Sequence, residues 1–296
     1  MEPITFVGLP LCSRANVSGI TEAVKVLREI GIVQELGKNA STLKDHGDAR
    51  LSEIRSDFGP KNLLNFPQFL QDSGRIRSVV SEWDGEGLLF ALGGECSICV
   101  GSLAGLKGNI GDKIGIVWID AHGDFNTPET TPSGYIGGMC LAFACGRGPS
   151  LKGIVDERKP ILGEENVVHI GGRALDPLES ENMSSSPMKT YSALTLRKNG
   201  VPSSLNLAIS SLADRCDCLA CHLDVDCIDP ELMPAVNFPA QSGLSLEETK
   251  AIVKLIQRTG KLKLFDLAGY NPALDPNRTC ALKLTRFTSE TFAQQH

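Results

Sequence analysis

The chain has 296 residues, enough for one large domain or two modest ones, and with 42% apolar and 22% charged residues it can build a sizeable core and is not disordered. Its 29 Lys and Arg against 35 Asp and Glu leave a net charge of −6, which removes any global electrostatic reason to bind nucleic acid or anionic lipid. No apolar run approaches the roughly 20 residues that cross a bilayer, and the opening Met-Glu-Pro-Ile-Thr-Phe-Val reads as a first strand, without the basic and apolar regions of a signal peptide.

In chain order, short β-rich runs ending in Gly or Asp alternate with longer segments of helical spacing. Ile4–Leu9 is predicted as a strand, and 21–36 as one amphipathic helix with Val24, Leu27, Ile30 and Ile32 on one side. Residues 44–48, containing His46, read as a turn. A second strand covers 87–92, stopped by Gly93-Gly94, and a helix starts near Ser97. Further strands are expected at 113–119, 166–170, 220–225 and Leu262–Ala268. Runs without polar alternation are buried on both faces, and their alternation with helices argues for a parallel sheet covered by helices. The absence of repeats or a linker makes residues 1–296 one domain. In such folds ligands sit beyond the carboxyl ends of the strands, where the polar clusters of this chain fall.

The ten cysteines lie mostly in strand-like runs (Cys99, Cys140, Cys145, Cys221), so reduced thiols in a cytoplasmic compartment are expected. Cys216-x-Cys218-x-x-Cys221-His222 invites a structural zinc reading. No second Cys pair stands at finger spacing, and Cys221 runs straight into a strand. Gly93-Gly94 is a tight turn and not a phosphate cradle, since no Gly-Lys-Ser/Thr follows.

Chemistry concentrates in two motifs. Trp118-Ile119-Asp120-Ala121-His122-Gly123-Asp124 ends a buried strand in three alternating ionisable groups, which share one side if the backbone stays extended. His222-Leu223-Asp224-Val225-Asp226 ends a second strand in two carboxylates. Close carboxylates repel unless a cation or a shared proton compensates. Four Asp and one His at two strand ends suit a pair of divalent ions of the Mn²⁺ type.

With these motifs the chain resembles the ureohydrolases, the family of arginase and agmatinase. The matching segments run in order along almost its whole length: Gly93-Gly94-Glu95-Cys96-Ser97, Asp120-Ala121-His122-Gly123-Asp124, Asn126-Thr127-Pro128 with Thr131-Pro132-Ser133-Gly134, Ile170 to Pro177, Leu223-Asp224-Val225-Asp226 with Asp229-Pro230, Ser242-Gly243-Leu244-Ser245 and Asn271-Pro272. The resemblance implies a three-layer α/β/α sandwich with a mainly parallel central sheet, a trimer or hexamer, and Mn²⁺-dependent hydrolysis of a guanidino carbon to release urea or a substituted urea. It makes Asp120 and Asp224 bridging ligands, His122 and Asp226 ligands of one ion, and Asp124 a ligand of the other that also hydrogen-bonds the nucleophile; Asp124 and His122 are the catalytic candidates. It places Asn126 and Ser133 on a substrate α-carboxylate, Asp176 on the α-ammonium, and Ser245 among the substrate-binding residues.

Three positions depart from the family. Cys96 replaces a His ligand: it is either a softer thiolate donor, leaving one or two ions per chain or another divalent metal, or a buried thiol in a Gly-rich turn. Gly137 stands where arginases carry a proton-shuttling His, and Gly269 where they carry a Glu that holds the guanidinium. Retained amino-acid contacts with an altered head-group pocket favour a guanidino amino acid over agmatine, with N-hydroxyarginine, hydrolysed to hydroxyurea and ornithine, as one alternative. A silent binding or regulatory protein is the other. His169 reads as a core residue, His222 as alternating with Asp224 behind the site, Cys140 as near the altered loop, and His296 as the terminus.

Overall fold

A computed structural model describes residues 2–17, 19–155 and 159–293; His296 lies outside them. In chain order the elements are β1 (Ile4–Leu9), α1 (Ala23–Ile30), α2 (Ile32–Gly37), β2 (Leu43–Asp48), α3 (Phe66–Ser81), β3 (Leu88–Gly93), α4 (Ile98–Ile110), β4 (Ile114–Ile119), α5 (Cys140–Ala144), β5 (Val167–Ile170), α6 (Pro177–Ser185), β6 (Lys189–Tyr191), α7 (Ala193–Asn199), α8 (Val201–Arg215), β7 (Cys218–Asp224), α9 (Leu246–Gln257), β8 (Leu262–Ala268) and α10 (Thr279–Phe292).

All eight strands join one parallel sheet in the order β2-β1-β3-β8-β7-β4-β5-β6. Successive side chains leave a strand on opposite faces, so each strand feeds two cores. Phe6, Phe90, Val117 and Phe265 pack under α1, α2 and α7 to α10. Val7, Leu89, Trp118 and Leu264 pack under α3, α4, α5 and α6. The result is the expected three-layer α/β/α sandwich. Each fully buried Leu, Ile or Phe contributes about 1.5–3 kcal/mol over its exposed state.

Two sequence expectations need correction, on the first helix and on His46, while the discounted zinc cluster stays discounted. The helix over 21–36 is broken at Gly31, whose φ of 99° ends α1 and starts α2. His46 is in strand β2 rather than a turn; β2 pairs with β1 at the sheet edge, where its polar residues meet solvent. The Cys216–His222 cluster is dispersed: Cys216 and Cys221 join one core, Cys218 the other. All ten cysteines are buried and free of disulfides. Among the described residues no helix is long and apolar enough to cross a membrane.

Candidate metal centre

The carboxyl ends of β3, β8, β7 and β4 lie side by side in the sheet, and the two acidic motifs and the Gly-Gly turn meet there. They line one cavity of about 250 Å³ together with the loops after β4 and β5. Every candidate site residue named from the sequence lines it (Cys96, Asp120, His122, Asp124, Asn126, Ser133, Asp176, Asp224 and Asp226) except Ser245. Ser245 is the N-cap of α9: its hydroxyl accepts from the Glu248 amide at 3.1 Å and Glu248 accepts from the Ser245 amide at 2.7 Å. That reciprocal pairing satisfies two orphan helix donors and explains Ser245 without a substrate.

The carboxylates are held by backbone amides. Asp120 Oδ1 accepts from the His122 amide at 2.7 Å, Asp224 Oδ1 from the Asp226 amide at 2.7 Å, and Asp226 Oδ1 from the Ala121 amide at 3.1 Å. The Trp118 indole donates to Asp120 Oδ2 at 3.2 Å. The extended backbone does not continue past β4: Asp124 is at φ 48°, and its side chain lines the same cavity as Asp120. His122 Nδ1 lies 3.0 Å from Asp226 Oδ2 and 3.5 Å from Asp120 Oδ1. The Cys96 thiol donates to Asp224 Oδ2 at 2.8 Å and lies 3.7 Å from Asp120 Oδ2.

Burial and mutual repulsion dominate the electrostatics. Burial, then the neighbouring Asp226 charge, pushes Asp224 up to about 6; burial, then Asp120, does the same to Asp226. Burial and Asp120 push Asp124 well above the carboxylate range, and burial with Asp224 and Asp124 pushes the Cys96 thiol up. Burial alone would lower His122, yet its hydrogen bonds to Asp120 and Asp226 hold it up to about 12. Asp120, Asp124, Asp224 and Asp226 are thus crowded together, with the His122 imidazole hydrogen-bonded to two of them. A divalent cation reverses this balance, and oxygen, nitrogen and sulfur donors converge in two groups, Asp120, His122 and Asp226 in one and Cys96, Asp120 and His222 in the other; among the described residues neither group takes in Asp124 or Asp224, which line the same cavity. The donor set therefore fits metal.

The altered positions have structural causes. Gly269 is at φ 87°, and a Cβ there would collide with the Asp224 carboxylate, so a glutamate would strain this backbone and displace Asp224. A Cβ on Gly137 would lie 2.5 Å from Tyr135 Cζ. Tyr135 fills that side of the cavity and donates to Glu95 Oε2 at 2.5 Å, while Ser97 donates to Glu95 Oε1 at 2.5 Å. Sequence reasoning passed over Glu95, Tyr135 and Phe238, the last a 45%-exposed ring packed edge-on to His122 at the cavity. Glu95 stood in a quoted motif; Tyr135 and Phe238 carried no spacing signal. Asn126 donates to Asp176 Oδ2 at 3.0 Å, tying the loops after β4 and β5 together. Cys140 is buried 3.6 Å from Asp124 Oδ2 and does not line the cavity. His169 bonds the His122 carbonyl through Nε2 at 2.7 Å, the structural role expected of it.

Comparison with known proteins agrees with this architecture. The sequence model of the arginase family matches residues 2–293. Arginase of Bacillus subtilis (strain 168) is 30% identical over 277 residues, covering 93% of this chain and 92% of that one. Arginase-1 of Rattus norvegicus is 30% identical over 281 residues, covering 92% and 86%. The native structure of arginase from Bacillus caldovelox superposes with a TM-score of 0.91 at 27% identity, covering 100% of this chain and 99% of that one. The chain belongs to the arginase family and is a ureohydrolase.

Proposed function

We propose that this chain hydrolyses the guanidino C–N bond of an arginine-like amino acid, using two divalent ions held by Asp120, Asp124, Asp224, Asp226, His122 and Cys96, with Mn²⁺ as the expected metal. The observation that carries the reading is one cavity lined by the buried carboxylates of Asp120, Asp124, Asp224 and Asp226 and, on the loops after β4 and β5, by Asn126, Ser133 and Asp176. Bound there, divalent ions supply Lewis acidity and a water nucleophile ionised near neutral pH.

The protein's own residues do the rest. Asp176 offers a carboxylate to an α-ammonium; Asn126 and Ser133 offer donors to an α-carboxylate. This fixes the amino-acid end and aims the guanidine at the strand ends. Asp124 accepts the proton of the attacking water and passes it to the departing amine nitrogen. A silent binding protein has no physical need for these buried charges, whose repulsion destabilises the fold without a cation. The expected order of turnover is guanidino amino acids well above agmatine, measured as amine product released by metal-loaded protein. Agmatine turned over as fast as the amino acids would overturn the assignment of Asn126, Ser133 and Asp176.

The collision at Gly269 favours a second, narrower reading. A carboxylate could project from that position to hold a strongly basic guanidinium only with a strained backbone and with Asp224 displaced. N-hydroxyarginine has a less basic head and depends less on such a partner. It is expected to be hydrolysed to hydroxyurea and ornithine faster than arginine is to urea; the reverse order would remove this reading and leave the broader one standing.

A further inference from the structure

His222 is a buried imidazole that the assigned site leaves unused. It is 0% exposed, on β7, two residues before Asp224 and on the same face of the sheet. Its ring stacks on Trp118, with centroids 3.9 Å apart and planes at 21°. Neither ring nitrogen has a hydrogen-bond partner. The nearest carboxylate, Asp266 Oδ2, is 3.8 Å from Nδ1, and Asp266 Oδ1 is likewise unpartnered. A buried imidazole with two unsatisfied nitrogens has lost its bonds to water without replacement, so its retention calls for a partner. A ring nitrogen of His222, the Cys96 sulfur and an Asp120 oxygen lie within 4.8 Å of one another. Sulfur and nitrogen are not hydrogen-bonded to each other. That limit is compatible with an ion between them, given metal bonds of about 2.3 Å to sulfur and 2.0–2.1 Å to nitrogen.

We propose that His222 supplies the nitrogen ligand that residue 96 no longer provides, so that the first metal position is held by Cys96 sulfur, His222 nitrogen and Asp120 oxygen. The inference rests on the metal reading given above. Asp266 then orients the imidazole through its other nitrogen, the usual carboxylate partner of a ligating histidine. The two positions become chemically unequal. The Cys96–His222 position carries sulfur and nitrogen and takes Zn²⁺ or Co²⁺ in preference to Mn²⁺; the Asp120–His122–Asp226 position keeps one nitrogen among oxygens and accepts Mn²⁺.

The test is a Co²⁺ titration of wild-type, His222→Phe and Asp226→Ala protein, read by stoichiometry and by the thiolate-to-Co²⁺ charge-transfer band. Phenylalanine keeps a flat ring against Trp118. Wild type is expected to bind two Co²⁺ with the band. His222→Phe is expected to keep one ion and to hold the other about a hundredfold more weakly or worse, beyond the 10–100-fold typical of losing an orienting partner. Asp226→Ala is expected to weaken the other ion and retain the band. Two ions with wild-type affinity and an unchanged band in His222→Phe would overturn the proposal while leaving the metal reading intact. No ion in wild type would overturn both. Should His222→Phe fail to fold, X-ray absorption of Co²⁺-loaded wild type decides: two imidazole nitrogens and one sulfur per two ions support the proposal, and a single imidazole contradicts it.

Discussion

Asp120 sits where both candidate ion positions meet, and its two oxygens face different neighbours: Oδ1 the His122 side, Oδ2 the Cys96 side. Removing it opens both positions at once. Asp120→Ala and Asp224→Ala are each expected to lose metal and turnover together, measured by elemental analysis beside product release; turnover retained in either variant would exclude a two-ion centre. Gly269 makes the opposite kind of prediction. Gly269→Glu returns the family's carboxylate in sequence, yet the backbone at φ 87° and the adjacent Asp224 reject any side chain. A left-handed non-glycine residue costs about 1–2 kcal/mol before any clash. The variant is expected to lower the melting temperature and metal occupancy rather than to create a better arginase. The acidic cluster was legible because Asp and His in alternation at the end of an apolar strand have few other uses. Glu95, Tyr135 and His222 were not, since their significance lies in neighbours brought by other strands and loops.

The strand ends set the electrostatics, and those have a sign. Asp224 and Asp226 have folded values raised to about 6 from the ordinary carboxylate range near 4. The native metal-free state therefore binds more protons than the unfolded chain between about pH 4 and 6, and its stability falls as pH rises through that window, on the order of 2–3 kcal/mol per carboxylate. His122, raised to about 12, acts in the same direction from its unfolded value near 6.5 upward. Chelated protein is accordingly expected to melt at a lower temperature at pH 8 than at pH 5. The stabilisation by added metal is expected to grow over the same interval, because the ligands bind deprotonated. A melting temperature of chelated protein that rises with pH would contradict the buried-charge account. At the far end of α9, Ser245→Ala is expected to cost about 1 kcal/mol of stability through the lost cap, with metal content and turnover unchanged; a fall in turnover would return Ser245 to the substrate site. Elements were readable in proportion to burial: β1, β3, β4, β5, β7 and β8 are apolar runs, whereas the edge strands β2, Leu-Lys-Asp-His-Gly-Asp, and β6, Lys-Thr-Tyr, expose polar residues and look like turns.

At the scale of the molecule, strand order puts the chemistry in one place. The chain lays down β1 to β3, crosses to β4, builds outward through β5 and β6, and returns with β7 and β8 to fill the gap between β3 and β4. The side chains of Cys96, Asp120 and Asp224 become neighbours although more than a hundred positions separate the first from the last. Sequence periodicity pointed to a parallel sheet but carried no information on this return, which is why the two acidic motifs could be paired only by their chemistry and by family resemblance. The most direct test of the account is the total divalent metal bound per chain after dialysis against Mn²⁺ and Zn²⁺ together and removal of excess. About two ions per chain are expected, lost together in Asp120→Ala; wild-type protein that retains none would contradict a two-ion centre.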